Sequence, residues 1–333
     1  MSAIAKNVSG SIWPSRLKLV AVYAIIGVIL IILPLLVSAY YQNVIMEILI
    51  FGIFAMSLNL LWGYTGLPSL GHAAYFGAAG YTVGILIVNY GVNNFWILAP
   101  AGILLAALLA AILGVPALRM TGGYFLLVTL AMGQLVYSLA QKLRTITGGD
   151  TGLGGITLPN LHIPGFTMTS LSFYYLVFIA FVIAVFLIFR IVKSPFGEAL
   201  QGIRENEPRM KALGYNTWLY KYICFILAGL FAGVAGVFFA SLNGIMSPTH
   251  MDISTSTIAM LMVVLGSTSI IFGPLVGCVM VIVIENVAMV YAPERWPLIL
   301  GGIFILAVMF LRNGISVYFL DFWRKVTRGS SGS

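Results

Sequence analysis

Charge is what this sequence has least of. Asp, Glu, Lys and Arg make up 8% of its 333 residues, against about 25% in a soluble domain. So few charges cannot clothe a water-facing surface. With 61% hydrophobic residues, the excess apolar area must face lipid. Acidic residues are scarcer than basic ones, 9 against 17. No basic stretch is interleaved with aromatics, so the excess of positive charge points to orientation in a membrane rather than to nucleic acid. There are two cysteines, Cys224 and Cys278. Each sits alone in an apolar run, which excludes a disulfide scaffold and reads as a small core residue.

Catalytic signatures are also missing. There is no His-Glu-x-x-His, no Gly-x-Ser-x-Gly and no pair of aspartates, which argues against an intramembrane enzyme. There is no Gly-x-x-x-x-Gly-Lys-Ser/Thr, and the glycine-rich 147–155 stretch lacks that ending. The chain therefore carries no nucleotide-hydrolysing loop of its own. His162 and His250 fall in loops without metal-ligand spacing.

What is abundant is long apolar sequence. A spanning helix needs about 20 apolar residues, and ten segments qualify as candidates: 17–37, 44–62, 73–88, 96–118, 124–140, 171–192, 222–242, 257–269, 271–291 and 298–311. The first is long enough to span and lacks a convincing cleavage pattern, so it is not read as a signal peptide. The eighth and tenth are short, giving a range of 8–10. The expected fold is an all-α polytopic membrane bundle. It comprises an N-terminal segment 1–16, a transmembrane domain 17–314 and a tail 315–333. The end of the tail, Arg328 to Ser333, reads as disordered. If all ten segments cross, 14 of the 17 basic residues fall on the side of both termini, and only Lys142, Arg144 and Arg295 fall on the other. The positive-inside bias makes the first side cytoplasmic. Gly80/Gly84, Gly229/Gly233 and Gly273/Gly277 place small residues four apart, as close helix packing in lipid requires.

Two connections exceed hairpin size. Residues 141–170 lie outside in this topology. Residues 193–221 lie inside and hold eight charges, five basic and three acidic. Ser194 suits an N-cap and Pro195 the first helical position. Phe196, Ala199, Leu200 and Ile203 then line one face, while Glu198, Gln201, Arg204 and Glu205 fall on the other. Asn206-Glu207-Pro208 restarts the chain, 209–213 makes a second turn, and Gly214 closes it. Such a helix–turn–helix is either a surface helix packed on its own bundle or lipid, or a lever that takes force from a cytoplasmic partner.

The 59–72 stretch contains Gly63, Gly66, Pro68 and Gly71, which interrupt a helix. Asn59, Tyr64, Thr65, Ser69 and His72 add polar groups there. Non-helical backbone at membrane depth is tolerated where it is buried or lines a wet cavity, and unwound segments often form transporter sites. The alternative is a plain connecting loop. Residues 266–274 form a second interruption, where Ser and Thr can satisfy groups freed by Pro274. Glu47 and Glu285 lie inside apolar runs, where a charge costs about 2.5–3.5 kcal/mol on insertion scales. Glu47 is placed near a helix end. Glu285, with Asn286, is deeper and a better candidate for a polar path. Thr129 and Gln134 are further path candidates.

Residues 58–81, with Leu-Asn-Leu-Leu-Trp-Gly-Tyr-Thr-Gly and Ser-Leu-Gly-His-Ala-Ala-Tyr-Phe-Gly-Ala-Ala-Gly-Tyr, resemble the most distinctive stretch of the branched-chain amino acid ABC importer permeases, in their second type of membrane subunit. So do Gly123-Tyr124-Phe125-Leu126-Leu127-Val128-Thr129-Leu130-Ala131, Thr147-Gly148-Gly149, and Gly273-Pro274 with Gly277. The run from Ser194-Pro195-Phe196-Gly197-Glu198-Ala199-Leu200-Gln201-Gly202-Ile203-Arg204-Glu205-Asn206-Glu207 to Ala212-Leu213-Gly214-Tyr215-Asn216 matches best. The resemblance covers about residues 41–314. Leu67, where the family often has Gln, and Ser267, where it often has a second Gly, depart from it.

The resemblance implies a type II importer-like bundle with broken helices, working by alternating access in a bacterial or archaeal inner membrane. Its implied partners are a similar second permease, two cytoplasmic ATPases that hold ATP and Mg, and an external substrate-binding protein. This chain itself would bind no cofactor. The loop carried by Ser194, Phe196–Leu200, Ile203–Asn206, Leu213 and Gly214 would dock on the ATPase. The solute would be a branched-chain or similar hydrophobic amino acid. Urea or a short amide is the alternative within the family, and an ion-coupled secondary transporter the alternative outside it.

Overall fold

The computed structural model describes residues 27–161 and 168–291, with single helical positions at 298, 301, 302, 305 and 309. The expected segment 1–16, His162, Arg295, most of 298–311 and the tail 315–333 lie outside the described residues. The chain divides into two compact units, 1–42 and 43–333. In the first, the described helix α1 is Gly27–Leu36. There Gln42 Nε2 donates to the Pro34 carbonyl at 2.7 Å, satisfying one of the last-turn carbonyls that the end of α1 leaves open.

The helices that follow are α2 Ala39–Thr65, α3 His72–Val88, α4 Phe95–Ala117, α5 Gly123–Lys142, α6 Arg144–Thr147, α7 Ser170–Val192, α8 Pro195–Glu205, α9 Glu207–Ala212, α10 Thr217–Asn243, α11 Ile253–Gly266 and α12 Gly273–Tyr291. Six of the described helices are long and apolar enough to cross a membrane, and three are shorter apolar helices. This is the polytopic all-α fold the composition demands, because lipid cannot satisfy exposed backbone.

Several boundaries differ from the expected ones. α2 starts at Ala39 rather than 44 and runs through Gly63 to Thr65. Glu47 is therefore its ninth residue, roughly 12 Å inside at 1.5 Å per residue. It is half-buried and not at the helix end. α10 starts at Thr217, because Asn216 accepts from the Leu219 N–H and caps it. Lys221 therefore belongs to a helix and not to the loop. The connection 141–170 is not structureless. It holds α6, a 3₁₀ turn Gly149–Thr151 and the two-residue strand β1, Leu153–Gly154. This strand pairs antiparallel with β2, Ile245–Met246.

Small residues set the packing. On α4 the buried set includes Gly102, Ala106, Ala110 and Gly114. On α10, Gly229 abuts Ala110, Gly233 abuts Ala106, Val237 fills the notch at Gly102, and Phe225 fills the notch at Gly114. Steps of four along α10 match steps of four back along α4, so the two helices run antiparallel at backbone contact. α3 lies against the same face of α10, with Gly236 beneath the Phe76 carbonyl. α11 and α12 close on each other through Gly266, Gly273 and Gly277. Cys224 and Cys278 are buried and free. Leu104, Leu108 and Ile112 on α4, and Ile179, Ile183 and Phe186 on α7, face outward, as a lipid-solvated bundle needs.

Candidate functional site: a re-entrant break above the basic loop

α2 ends where Gly66, at φ +75°, turns left-handed, a conformation glycine adopts without steric cost. The Gly66 N–H donates to the Trp62 carbonyl, and the Thr65 hydroxyl donates back to Leu61. Residues 66–71 are not helical, and α3 begins at His72. The interruption is thus shorter than the 59–72 expected, since 59–65 stay in α2.

The break does not stay at the end of the bundle. His72 Nε2 shares a hydrogen bond with Ser57 Oγ at 2.8 Å. Ser57 lies eight positions before the end of α2, roughly 12 Å back along its axis. The chain therefore turns back into the bundle before α3 starts. The re-entrant stretch is wedged against α5. The Leu70 N–H donates to Thr129 Oγ1 at 3.3 Å, and the Gly71 backbone sits against the Thr129 carbonyl and Gly133. The first turn of α3 is held by α11, whose Ser256 hydroxyl accepts from the Ala73 N–H at 2.9 Å.

A second non-helical stretch enters from the opposite end of the bundle. After β2 come a 3₁₀ turn, Pro248–Met251, and Asp252. Met251 fills the notch at Gly77 on α3. Asp252 Oδ1 accepts from Gln134 Nε2 at 2.8 Å. His250 Nδ1 accepts from the Ser247 N–H and closes that turn. The two stretches thus converge on the first turns of α3, from opposite ends of the bundle.

The expected path residues divide accordingly. Ser69, His72 and Thr129 come together at the break, Asn59 and Tyr64 line the last turns of α2 beside it, and Gln134 lies one turn further along α5. Glu285 and Asn286 are on α12, where both are half-buried and the Asn286 amide donates to its own helix at Ile282. Glu285 makes no ion pair among the described residues. His72 is fully buried, stacked on Phe54 with ring centroids 5.3 Å apart. Its bond is to a side chain rather than to the backbone. Among the described residues, Asn59 Oδ1, Ser69 Oγ, His72 Nδ1 and Tyr81 OH are buried polar atoms with no hydrogen-bond partner. Buried polar groups of this kind are uncommon, and each needs a partner such as water, an ion or a ligand, or else is strained; Asn93 Oδ1, between α3 and α4, is another. The reading missed Ser57, Gly133, Asp252 and Ser256. Only Asp252 with the Ser254–Thr257 run of small polar residues at a helix start signalled the last two.

The basic loop lies at the other end of α2 from its start. α8 buries Gly197, Ala199, Leu200 and Ile203 and exposes Glu198, Gln201 and Glu205. Its apolar face packs on its own bundle: Gly197 rests against the Ile191 and Val192 carbonyls, and Phe196 stacks on Tyr220 at 5.4 Å. Ser194 occupies the N-cap position, but its hydroxyl donates back to the Ile191 carbonyl and caps nothing. Asn206 does cap α9, accepting from the Arg209 N–H at 3.0 Å. Gly214 follows α9 at φ +88°, and Leu213 before it is exposed. Glu207 fastens the loop to α10 by accepting from Lys221 and, at 2.9 Å, from Thr217. It also pairs with Lys211 at 3.1 Å. Partial burial pushes the Glu207 carboxyl up, but the hydrogen bonds from Lys221, Lys211 and Thr217 outweigh it and hold the group at about 2. No cluster of metal-ligating side chains occurs among the described residues.

Comparison with known proteins gives these features a family. The chain is 29% identical over 334 positions to the high-affinity branched-chain amino acid transport system permease protein LivM of Escherichia coli (strain K12), covering 94% of this chain and 77% of that relative. It is 28% identical, with the same coverage, to the protein of that name in Salmonella typhimurium. A probable branched-chain amino acid transport permease protein LivM of Methanocaldococcus jannaschii is 25% identical over 284 positions, 74% of this chain and 81% of that one. No solved structure matches the chain. A profile described as branched-chain amino acid transport system / permease component matches residues 40–311, and the chain belongs to that family.

Proposed function

We propose that this chain is a non-catalytic permease subunit of an ATP-driven importer, and that it moves branched-chain or similar hydrophobic amino acids by alternating access. The observation that carries the reading is the pair of non-helical stretches converging on α3, edged by buried polar atoms without partners. A zwitterion crossing the membrane needs such groups for its charged end, while an aliphatic side chain needs the surrounding Leu, Phe and Ala. Ser69, His72, Thr129 and Asn59 are the residues proposed to border the path, with Tyr64 and Gln134 flanking it. Glu285 and Asn286 remain proposed as a separate polar position on α12.

Energy enters at the cytoplasmic face through α8 and α9. The exposed Glu198, Gln201 and Glu205 meet a partner ATPase, which binds the ATP and Mg. The buried face passes the displacement to α7 and α10. A second permease completes the pore, and a binding protein delivers solute from the outer side. The membrane is a bacterial or archaeal inner membrane, with both termini cytoplasmic.

The test is uptake by the whole complex in proteoliposomes with ATP inside. Labelled leucine is expected to enter, with isoleucine and valine competing and urea or acetamide not. Uptake of urea with indifference to leucine would assign the alternative solute. Leucine uptake driven by an ion gradient without ATP would assign a secondary transporter.

A further inference from the structure

Arg204 sits at the exposed end of α8, where the docking reading has it facing a partner. Its head group turns the other way. Nη1 donates to the carbonyl of Gly63 in the last turn of α2, 141 positions away in sequence. Its stem lies along Gly66, where an added β-carbon would stand 3.3 Å from Arg204 Cγ. The carbonyls of a helix's last turn have no partner within the helix, and a cation there also meets the negative end of the helix dipole. Arg204 is thus a C-cap supplied to α2 by the docking loop. The same turn has little room to move by itself. A β-carbon on Gly63 would meet both the Asn59 side chain and, at 2.6 Å, the Thr268 carbonyl in the turn between α11 and α12. Gly66, three residues on, is the first residue of the break.

We propose that Arg204 is a positioning residue that ties the docking helix to the end of α2, so that movement of α8 is delivered to the Gly66–Gly71 break and not only to α7 and α10. The proposal rests on the importer reading above. It differs from a docking role, because the guanidinium works inside this subunit and not on the ATPase.

The experiment compares Arg204→Ala and Arg204→Lys with the unaltered complex, each purified by size exclusion and compared at equal amounts. Two quantities are read: ATPase subunits co-purified per permease, and ATP hydrolysed per leucine moved. Arg204→Ala is expected to retain its ATPase subunits. Its ATP-to-leucine ratio is expected to rise severalfold. Arg204→Lys, which keeps a donor and a charge, is expected to recover part of the coupling. A purely structural role would lower the yield of complex and leave the ratio unchanged, and that result overturns the proposal. Loss of the ATPase subunits from Arg204→Ala would make Arg204 a docking contact and also overturn it. Glu198→Arg on the exposed face of α8 tests the underlying reading separately, since that variant is expected to shed the ATPase. An unaltered complex without ATP-driven uptake removes that reading and the tie together.

Discussion

At Gly71 an added β-carbon would collide with the Thr129 carbonyl, whereas at Gly154 it would meet nothing within 4 Å. Gly71→Ala is therefore expected to destabilise the bundle by about 1–3 kcal/mol, the usual cost of overpacking, while Gly154→Ala leaves it unchanged. Thermal unfolding in detergent compares the two. Ser57→Ala strips His72 of its one hydrogen-bond partner in an apolar core. The expected loss is about 1–3 kcal/mol for an orphaned buried group, read by the same melt, and a His72→Phe background should recover most of it. Ser267 adopts φ +114° at the end of α11, in a region of backbone space where only glycine is at ease. This is the position where family members often carry glycine, so the departure noted in the sequence has a conformational cost.

At the scale of elements, the loop and the break make distinct predictions. The Glu207 carboxyl is held at about 2 when folded, below its unfolded value of roughly 4.3. Its contribution to fastening α9 on α10 is therefore complete above about pH 5 and lost as pH falls from there toward 2. Trp218, in the first turn of α10, should report this as a fluorescence change in that window, and Glu207→Gln should abolish the change. At the break, Ser69 is fully buried in this conformation. A Ser69→Cys variant is expected to react with a membrane-impermeant thiol reagent in one nucleotide state of the complex and to be protected in the other, with buried Cys224 and Cys278 silent.

These elements were not equally legible. The existence of α8 and α9 and the buried face of α8 could be read from proline, glycine and the apolar spacing, but α9 starts at Glu207 rather than the expected 209, because Asn206 caps it, and the expected cap Ser194 bonds back to Ile191 instead. The break was visible as a cluster of Gly and Pro, but its extent was not. Gly63 is a poor helix former on its own, yet it stays helical, with the Thr268 carbonyl packed against it and Arg204 donating to its own carbonyl. The partners of His72 and Ala73 were hidden for the same reason: Ser57 and Ser256 meet them only through the fold, 15 and 183 positions away. β1 and β2 pair over two residues each, too few for an alternating pattern to show.

At the scale of the whole molecule, six of the described helices are long and apolar enough to cross a membrane, and the function proposed above makes them a conduit moved by partner subunits. Membership of the branched-chain amino acid permease family fits that division of labour. The most direct measurement is uptake of labelled leucine into proteoliposomes, with the ATPase subunits either included or withheld. Accumulation is expected only when they are present with ATP, and to cease when α8 is altered at Glu198. Leucine accumulating at an undiminished rate with this chain and its permease partner alone would contradict the account.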